Sequence, residues 1–118
     1  MFECPVTEGD EWAVVRPHGS LDLHSVGAFR DALRRAAAAR HVAVDLQGLQ
    51  YIDSSGIHVL LVYARLCRER GRRFLLADPT PHVHRVLQMV DRDRRLTVAP
   101  SVDEALRAAG AVLEAGRG

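Results

Sequence analysis

The sequence predicts an α/β fold: a mixed sheet of four to five strands with an N-terminal hairpin and crossover helices. Short apolar runs rich in β-branched residues alternate with segments whose apolar residues recur at steps of three and four. Strands that alternate with helices imply parallel strands joined by right-handed crossovers. The chain has 118 residues, 47% of them hydrophobic. We therefore expect a single domain over residues 1–118.

The first elements are predicted to be a hairpin and a helix. Residues 12–16 have strand composition and are followed by Pro17, and residues 2–6 are suited to pair with them as an edge strand. After a predicted loop over residues 19–22, helical spacing relates Val26, Phe29, Leu33 and Ala36. Either Ser25 or Asp22 is suited to cap this helix.

The middle of the chain predicts a strand, a helix and a second strand. Residues 42–46 form a short apolar run that is typical of a strand buried on both faces. Residues 55–70 have helical periodicity, and Gly71 supplies a C-terminal stop. Residues 74–77 form the next strand.

The last third predicts two helices around a strand. Thr80 and Pro81 provide a cap and a first-turn proline for one helix. Its predicted inward residues are Val83, Val86, Leu87 and Val90. Residues 96–98 read as a strand, and Ser101 with Glu104 forms a capping box for a final helix. That helix is expected to bury Val102, Ala105, Leu106 and Ala109.

Composition argues against several classes of protein. The net charge of +1 disfavours nucleic-acid binding, which needs a clear excess of basic residues. The longest apolar run, residues 57–64, is interrupted by His58 and falls short of the ~20 residues that cross a membrane. The first residues lack a secretory signal, so we expect a cytoplasmic protein with Cys4 and Cys67 as free thiols.

No pattern indicates an enzyme, a metal site or a cofactor. The six histidines are scattered without ligand spacing. The sequence has neither a G-x-S-x-G elbow nor a nucleotide-binding glycine motif. His18, His24 and His58 could approach a nucleophilic serine, but no local pattern places one there. We therefore predict no catalytic residue.

One segment, residues 53–56, contains side chains that are candidates for a functional site. Ser54 and Ser55 follow Asp53 at the N-terminus of the predicted helix over residues 55–70. Asp-Ser-Ser is good capping chemistry and Gly56 loosens the turn, so capping alone is one interpretation. The other is a phosphorylation site, because free N–H groups and the helix dipole tolerate added negative charge. The residues by themselves leave both open.

The order of three segments resembles the STAS-domain anti-sigma factor antagonists of bacteria. These segments are Gly-Ser-Leu-Asp at 19–22, the strand at 42–46 and Asp-Ser-Ser-Gly at 53–56. The likeness spans nearly the whole chain and includes Thr80-Pro81 and Ser-Val-Asp-Glu-Ala-Leu at 101–106. It implies a STAS-like fold. It also implies that Ser54 is phosphorylated by a partner that is both an anti-sigma factor and a serine-protein kinase.

The resemblance further implies a partner-switching mechanism. The unmodified protein would bind the anti-sigma factor and release the sigma factor, phosphorylation would end binding, and a phosphatase would reset the protein. The docking surface that the resemblance implies consists of Asp22, Asp53, Ser54, Ser55, Gly56 and Ile57.

Two positions depart from the family pattern. Ser20 stands where many members have an acid, and His58 stands where a small residue is common. We interpret His58 as a solvent-facing helix residue.

An alternative function is compatible with the same fold. STAS-like domains also serve as non-switching adaptors in transporters, lipid-transport complexes and stress-sensing assemblies.

Overall fold

The computed structural model describes residues 1–108. The strands are β1 (Val6–Glu8), β2 (Trp12–Val15), β3 (Gly19–Leu21), β4 (His41–Asp45), β5 (Leu49–Ile52), β6 (Phe74–Ala77) and β7 (Thr97–Ala99). The helices are α1 (Val26–Ala37), α2 (Ser54–Glu69), α3 (Pro81–Val90) and α4 (Val102–Ala108). Ala109, predicted to be buried by the last helix, lies outside the described residues.

The main sheet has five strands in the order β1-β2-β4-β6-β7. β1 pairs antiparallel with β2, and the other pairs are parallel. The predicted α/β class and N-terminal hairpin are therefore confirmed. The first hairpin strand is Val6–Glu8 rather than residues 2–6, because Pro5 has no N–H for a continuous ladder. Glu3 forms only an isolated bridge with His18.

The core lies on both faces of the central strand. Val42, Ala43 and Val44 of β4 are fully buried, as the run at residues 42–46 predicts. Val42 and Val44 pack in the larger apolar cluster beneath α1, α2 and α3. Ala43 packs on the opposite face with Ala105 of α4. The sheet is thus covered by three helices on one side and one on the other.

The helix boundaries follow their sequence signals closely. α2 ends just before Gly71, whose φ of 70° is the left-handed conformation that glycine adopts easily. Ser101 caps α4 by accepting a 3.1 Å hydrogen bond from the Glu104 N–H. Between residues 1 and 108, no helix has the length and apolar character that a bilayer crossing needs.

The predicted inward face of α3 is correct except at its end. Val83 and Leu87 are buried, and Val86 is partly buried against the core. Val90 is 45% exposed, so its predicted burial is wrong. It is the last residue of α3, and its neighbour Met89 is also exposed, because the last turn of the helix extends beyond the core.

A second, smaller sheet was not predicted. Residues 19–22 were expected to form a loop, but β3 pairs in parallel with β5. The burial pattern of β5 is atypical of a strand, because its buried residues, Leu49 and Ile52, are three positions apart rather than two. Both strands run into the segments that carry the candidate site.

Candidate functional site

The candidate site lies at the carboxyl ends of β3 and β5. Asp22 follows β3 and Asp53 follows β5. The Asp53 N–H donates a 3.1 Å hydrogen bond to the Leu21 carbonyl, which ties the two strand ends together. Ligands of open α/β sheets bind at such strand ends. The structure therefore brings together the two segments that the sequence singled out.

Asp53 caps α2. Its Oδ1 atom accepts hydrogen bonds from the Ser55 N–H at 2.9 Å and the Gly56 N–H at 3.3 Å. The Ser55 hydroxyl donates to the same atom at 2.5 Å. The capping interpretation is thus confirmed for Asp53, and two of the free N–H groups at the helix start are satisfied by its carboxylate.

The two serines differ in their surroundings. Ser55 is partly buried and bound to Asp53, whereas Ser54 is exposed as the first residue of α2. Within residues 1–108, the Ser54 hydroxyl has no hydrogen-bond partner. The Ser54 hydroxyl therefore takes no part in capping and is exposed to solvent.

The carboxyl of Asp53 is held in its charged form. Its pKa is lowered chiefly by the hydrogen bond from the Ser55 hydroxyl. Partial burial opposes this effect, and hydrogen bonds from the N–H groups of Gly56, Ser55 and Leu23 add to it. A fixed negative charge therefore directly precedes Ser54.

Asp22 orders the loop that leads into α1. Its Oδ1 accepts hydrogen bonds from the His24 N–H at 2.9 Å and the Ser25 N–H at 3.2 Å. The Ser25 hydroxyl in turn donates to the Ser20 carbonyl at 2.7 Å. Ser25 is the N-cap residue of α1 but makes no side-chain capping bond to that helix. Asp22 is only partly buried, so part of its side chain stays exposed while its Oδ1 atom stabilises the loop.

Gly56 and Ile57 lie beneath the surface. Ile57 is only 4% exposed. A Cβ atom on Gly56 would lie 2.8 Å from both Ile52 Cγ1 and Leu21 Cγ, so only glycine allows α2 to approach β3 and β5 this closely. Of the six predicted docking residues, Gly56 and Ile57 are therefore buried, whereas Asp22, Asp53, Ser54 and Ser55 are at least partly exposed.

The family is decided by the whole chain rather than by one motif. Residues 2–105 match the model of the STAS domain family. The chain belongs to this family. The order of strands and helices described above, up to Ala105, is therefore that of a STAS domain.

Related STAS proteins are described as anti-sigma factor antagonists. The anti-sigma F factor antagonist of Paenibacillus polymyxa is 35% identical over 79 residues, covering 64% of this chain and 68% of its own. The anti-sigma-F factor antagonist RsfA of Mycobacterium tuberculosis is 27% identical over 111 residues, covering 91% and 87%. The solved structure of the antagonist SpoIIAA in its unphosphorylated form has a TM-score of 0.73 at 26% identity, covering 93% and 97%.

Two exposed apolar residues of this STAS domain flank the predicted site and were missed by the sequence analysis. Leu23 is 73% exposed beside Asp22, and Tyr51 is 45% exposed three residues before Ser54. The Tyr51 ring stacks on His82 with centroids 5.3 Å apart and planes 12° from parallel. A single exposed apolar residue produces no periodic pattern in the sequence. Its place beside the candidate site is visible only in the folded structure. His58 is exposed, as predicted.

Proposed function

We propose that this STAS domain is an anti-sigma factor antagonist switched by phosphorylation of Ser54. In its unmodified form it binds an anti-sigma factor that is also a serine-protein kinase, and the sigma factor is released. The observation that carries this proposal is the exposed, unbonded hydroxyl of Ser54 beside the ionised Asp53. The antagonists among its relatives support the same role.

The electrostatics of the site explain why phosphorylation would end binding. A phosphate on Ser54 adds nearly two negative charges next to Asp53. The sequence predicts free N–H groups at this helix start, but those of Ser55 and Gly56 already bond to Asp53, so they are not free to neutralise the phosphate. Like charges held together in an interface cost several kcal/mol. A penalty of ~3 kcal/mol already weakens binding more than a hundredfold.

The partner would supply the chemistry of phosphoryl transfer. Such transfer depends on positioning and on charge neutralisation by Mg²⁺ and basic groups around the nucleotide. This chain would contribute the accepting hydroxyl and the docking surface, and a phosphatase would remove the phosphate. We propose that the cycle runs in the cytoplasm, where the sigma factor meets RNA polymerase.

The proposal is tested by incubating the protein with ATP, Mg²⁺ and each anti-sigma kinase encoded in the source genome, followed by mass spectrometry. One phosphate is expected on Ser54 of the wild-type protein and none on Ser54→Ala. Ser55→Ala removes the neighbouring hydroxyl and tests the position of the modification: any phosphate that this variant takes up should still lie on Ser54. Stable binding without any phosphorylation would overturn the switch and favour a non-switching adaptor.

Affinity measurements test the proposal that phosphorylation of Ser54 ends binding to the anti-sigma factor. Ser54→Ala should bind the anti-sigma factor in the presence of ATP, when the wild-type protein becomes phosphorylated and dissociates. Ser54→Asp should bind more weakly because it places a carboxylate beside Asp53. Equal affinities of these two variants would remove the switch from position 54.

A further inference from the structure

We infer that Leu23 and Tyr51 are the apolar anchors of the docking surface, beside Asp22, the charged contact that the family resemblance already implies. The partner would then present an apolar recess bordered by an arginine or lysine. This inference rests on the proposed function and specifies the chemistry of the surface that the anti-sigma factor presents.

Leu23 is exposed on a loop that is held in place from both sides. Asp22 accepts hydrogen bonds from the next two N–H groups of the loop, those of His24 and Ser25. The Asp53 N–H donates a 3.1 Å hydrogen bond to the Leu21 carbonyl, two residues before Leu23, which links the loop to the start of α2. An apolar side chain on an ordered backbone loses little conformational freedom when a partner covers it. Leu23 is therefore suited to fill a recess beside Ser54.

Tyr51 is exposed on the other strand of the same small sheet. The parallel register places it opposite Ser20, and both side chains are exposed. The stack on His82 restrains the ring, and α3, which carries His82, packs against β5. A restrained tyrosine supplies contact area at low entropic cost, and tyrosine is among the residues enriched where interface energy concentrates.

The charge of the surface points to a basic partner. Asp22 Oδ1 is used by the loop, but Oδ2 has no partner within the described part of the chain. A cavity of about 380 Å³ lies beside it, and its lining includes Ser20, Asp22, His24 and Ser25 but no arginine. An incoming guanidinium or ammonium group would form a charge-assisted hydrogen bond with the free oxygen. The neighbouring Asp53 favours the same sign of charge.

The test compares the two anchor residues with an exposed apolar residue at another place on the surface. Leu23→Ala and Tyr51→Ala are measured for affinity to the anti-sigma kinase that binds or phosphorylates the wild-type protein. The control is Met89→Ala, because Met89 is 72% exposed but lies in the last turn of α3. Each anchor variant should bind roughly tenfold more weakly, whereas the control should bind like wild type. Unchanged melting temperatures would exclude unfolding as the cause.

The charged contact is tested separately with Asp22→Asn, which keeps the Oδ1 acceptor that orders the loop. We expect weaker binding and a smaller dependence of the association rate on ionic strength than in the wild-type protein. Wild-type salt dependence in this variant would remove Asp22 from the contact.

The outcomes separate this inference from the proposed function. If Ser54→Asp weakens binding but both anchor variants bind like wild type, the proposed function stands and the assignment of Leu23 and Tyr51 as anchors is wrong. If the anchor variants bind weakly but Ser54 is never phosphorylated, the anchors stand and the switch fails. If no anti-sigma kinase of the source genome binds the wild-type protein, both are overturned.

Discussion

At the scale of single residues, Asp53 has a structural role that can be measured apart from any partner. Its side chain caps α2, and loss of a carboxylate cap costs roughly 1 kcal/mol of stability. We expect Asp53→Ala to lower the free energy of unfolding by about that amount in urea titrations. Asp53→Asn should lose less, because asparagine is also a good N-cap. Equal losses in the two variants would show that the cap is not what stabilises the helix.

The same carboxyl makes stability depend on pH. Its pKa is lower in the folded protein than the ordinary 3.8, so the unfolded chain takes up a proton first as the pH falls. The stabilisation by ionised Asp53 is therefore complete above about pH 5 and is lost as the pH falls through the folded-state pKa. The stability difference between wild type and Asp53→Asn, measured by urea unfolding, should shrink in this window. A constant difference would contradict the assignment.

The residues of the candidate site were only partly predictable from the sequence. Asp53 and Ser54 were identified because capping chemistry and a strand-to-helix junction are local signals. Leu23 and Tyr51 were missed because their exposure depends on two strands that do not have strand periodicity. Gly56 was assigned to the docking surface, although its role as a close-packing residue depends on Leu21, which is far away in the sequence.

At the scale of elements, the approach of α2 to the small sheet depends on one glycine. An added Cβ at Gly56 would lie 2.8 Å from the buried Leu21 and Ile52 side chains. Gly56→Ala should therefore destabilise the protein by about 1–3 kcal/mol, despite the better helix propensity of alanine. Gly27→Ala is the matched control, since a Cβ at Gly27 of α1 meets nothing within 4 Å.

The control variant should gain up to about 0.5 kcal/mol, less than in a helix interior, because Gly27 lies in the first turn of α1. Thermal and urea unfolding of the two glycine variants are therefore expected to shift in opposite directions. Shifts of the same sign would mean that helix propensity, and not packing against β3 and β5, decides the effect at position 56.

The elements themselves were predictable where burial is regular. β4 and β6 are continuous apolar runs because both of their faces are covered. β3 and β5 were not predictable, since they have only 3 and 4 residues and no alternation of buried and exposed positions. Their pairing is a long-range contact between residues about 30 positions apart. Such a pairing is decided by the whole fold.

At the scale of the whole molecule, the small sheet serves both the core and the candidate site. Leu21, Leu49 and Ile52 of β3 and β5 pack in the larger apolar cluster, whereas Asp22 and Ser54, which follow these strands, are at least partly exposed. A charge added at Ser54 lies outside the core, so phosphorylation should change binding and leave the fold intact. The stability of the scaffold can therefore be probed at sites remote from Ser54.

The two thiols provide such a probe. Cys4 and Cys67 are free, as expected from the sequence, and burial raises the pKa of Cys4 to about 12 and also raises that of Cys67. Arg35 partly opposes this effect at Cys4, and Arg72 and Arg70 do so at Cys67. Because the thiolate is the reactive form, both residues should be alkylated slowly by iodoacetamide at pH 8 in the native protein.

In denaturant, both thiols should regain ordinary reactivity, and mass spectrometry of the alkylated protein would count the labelled sites. The labelling rate of buried Cys67 should rise in Gly56→Ala in proportion to the loss of stability, if opening of the core limits the reaction. Rapid labelling of Cys67 in the native wild-type protein would contradict its place in the core. A phosphate on Ser54 should leave this rate unchanged, because Ser54 is exposed and the added charge does not lie between the packed layers.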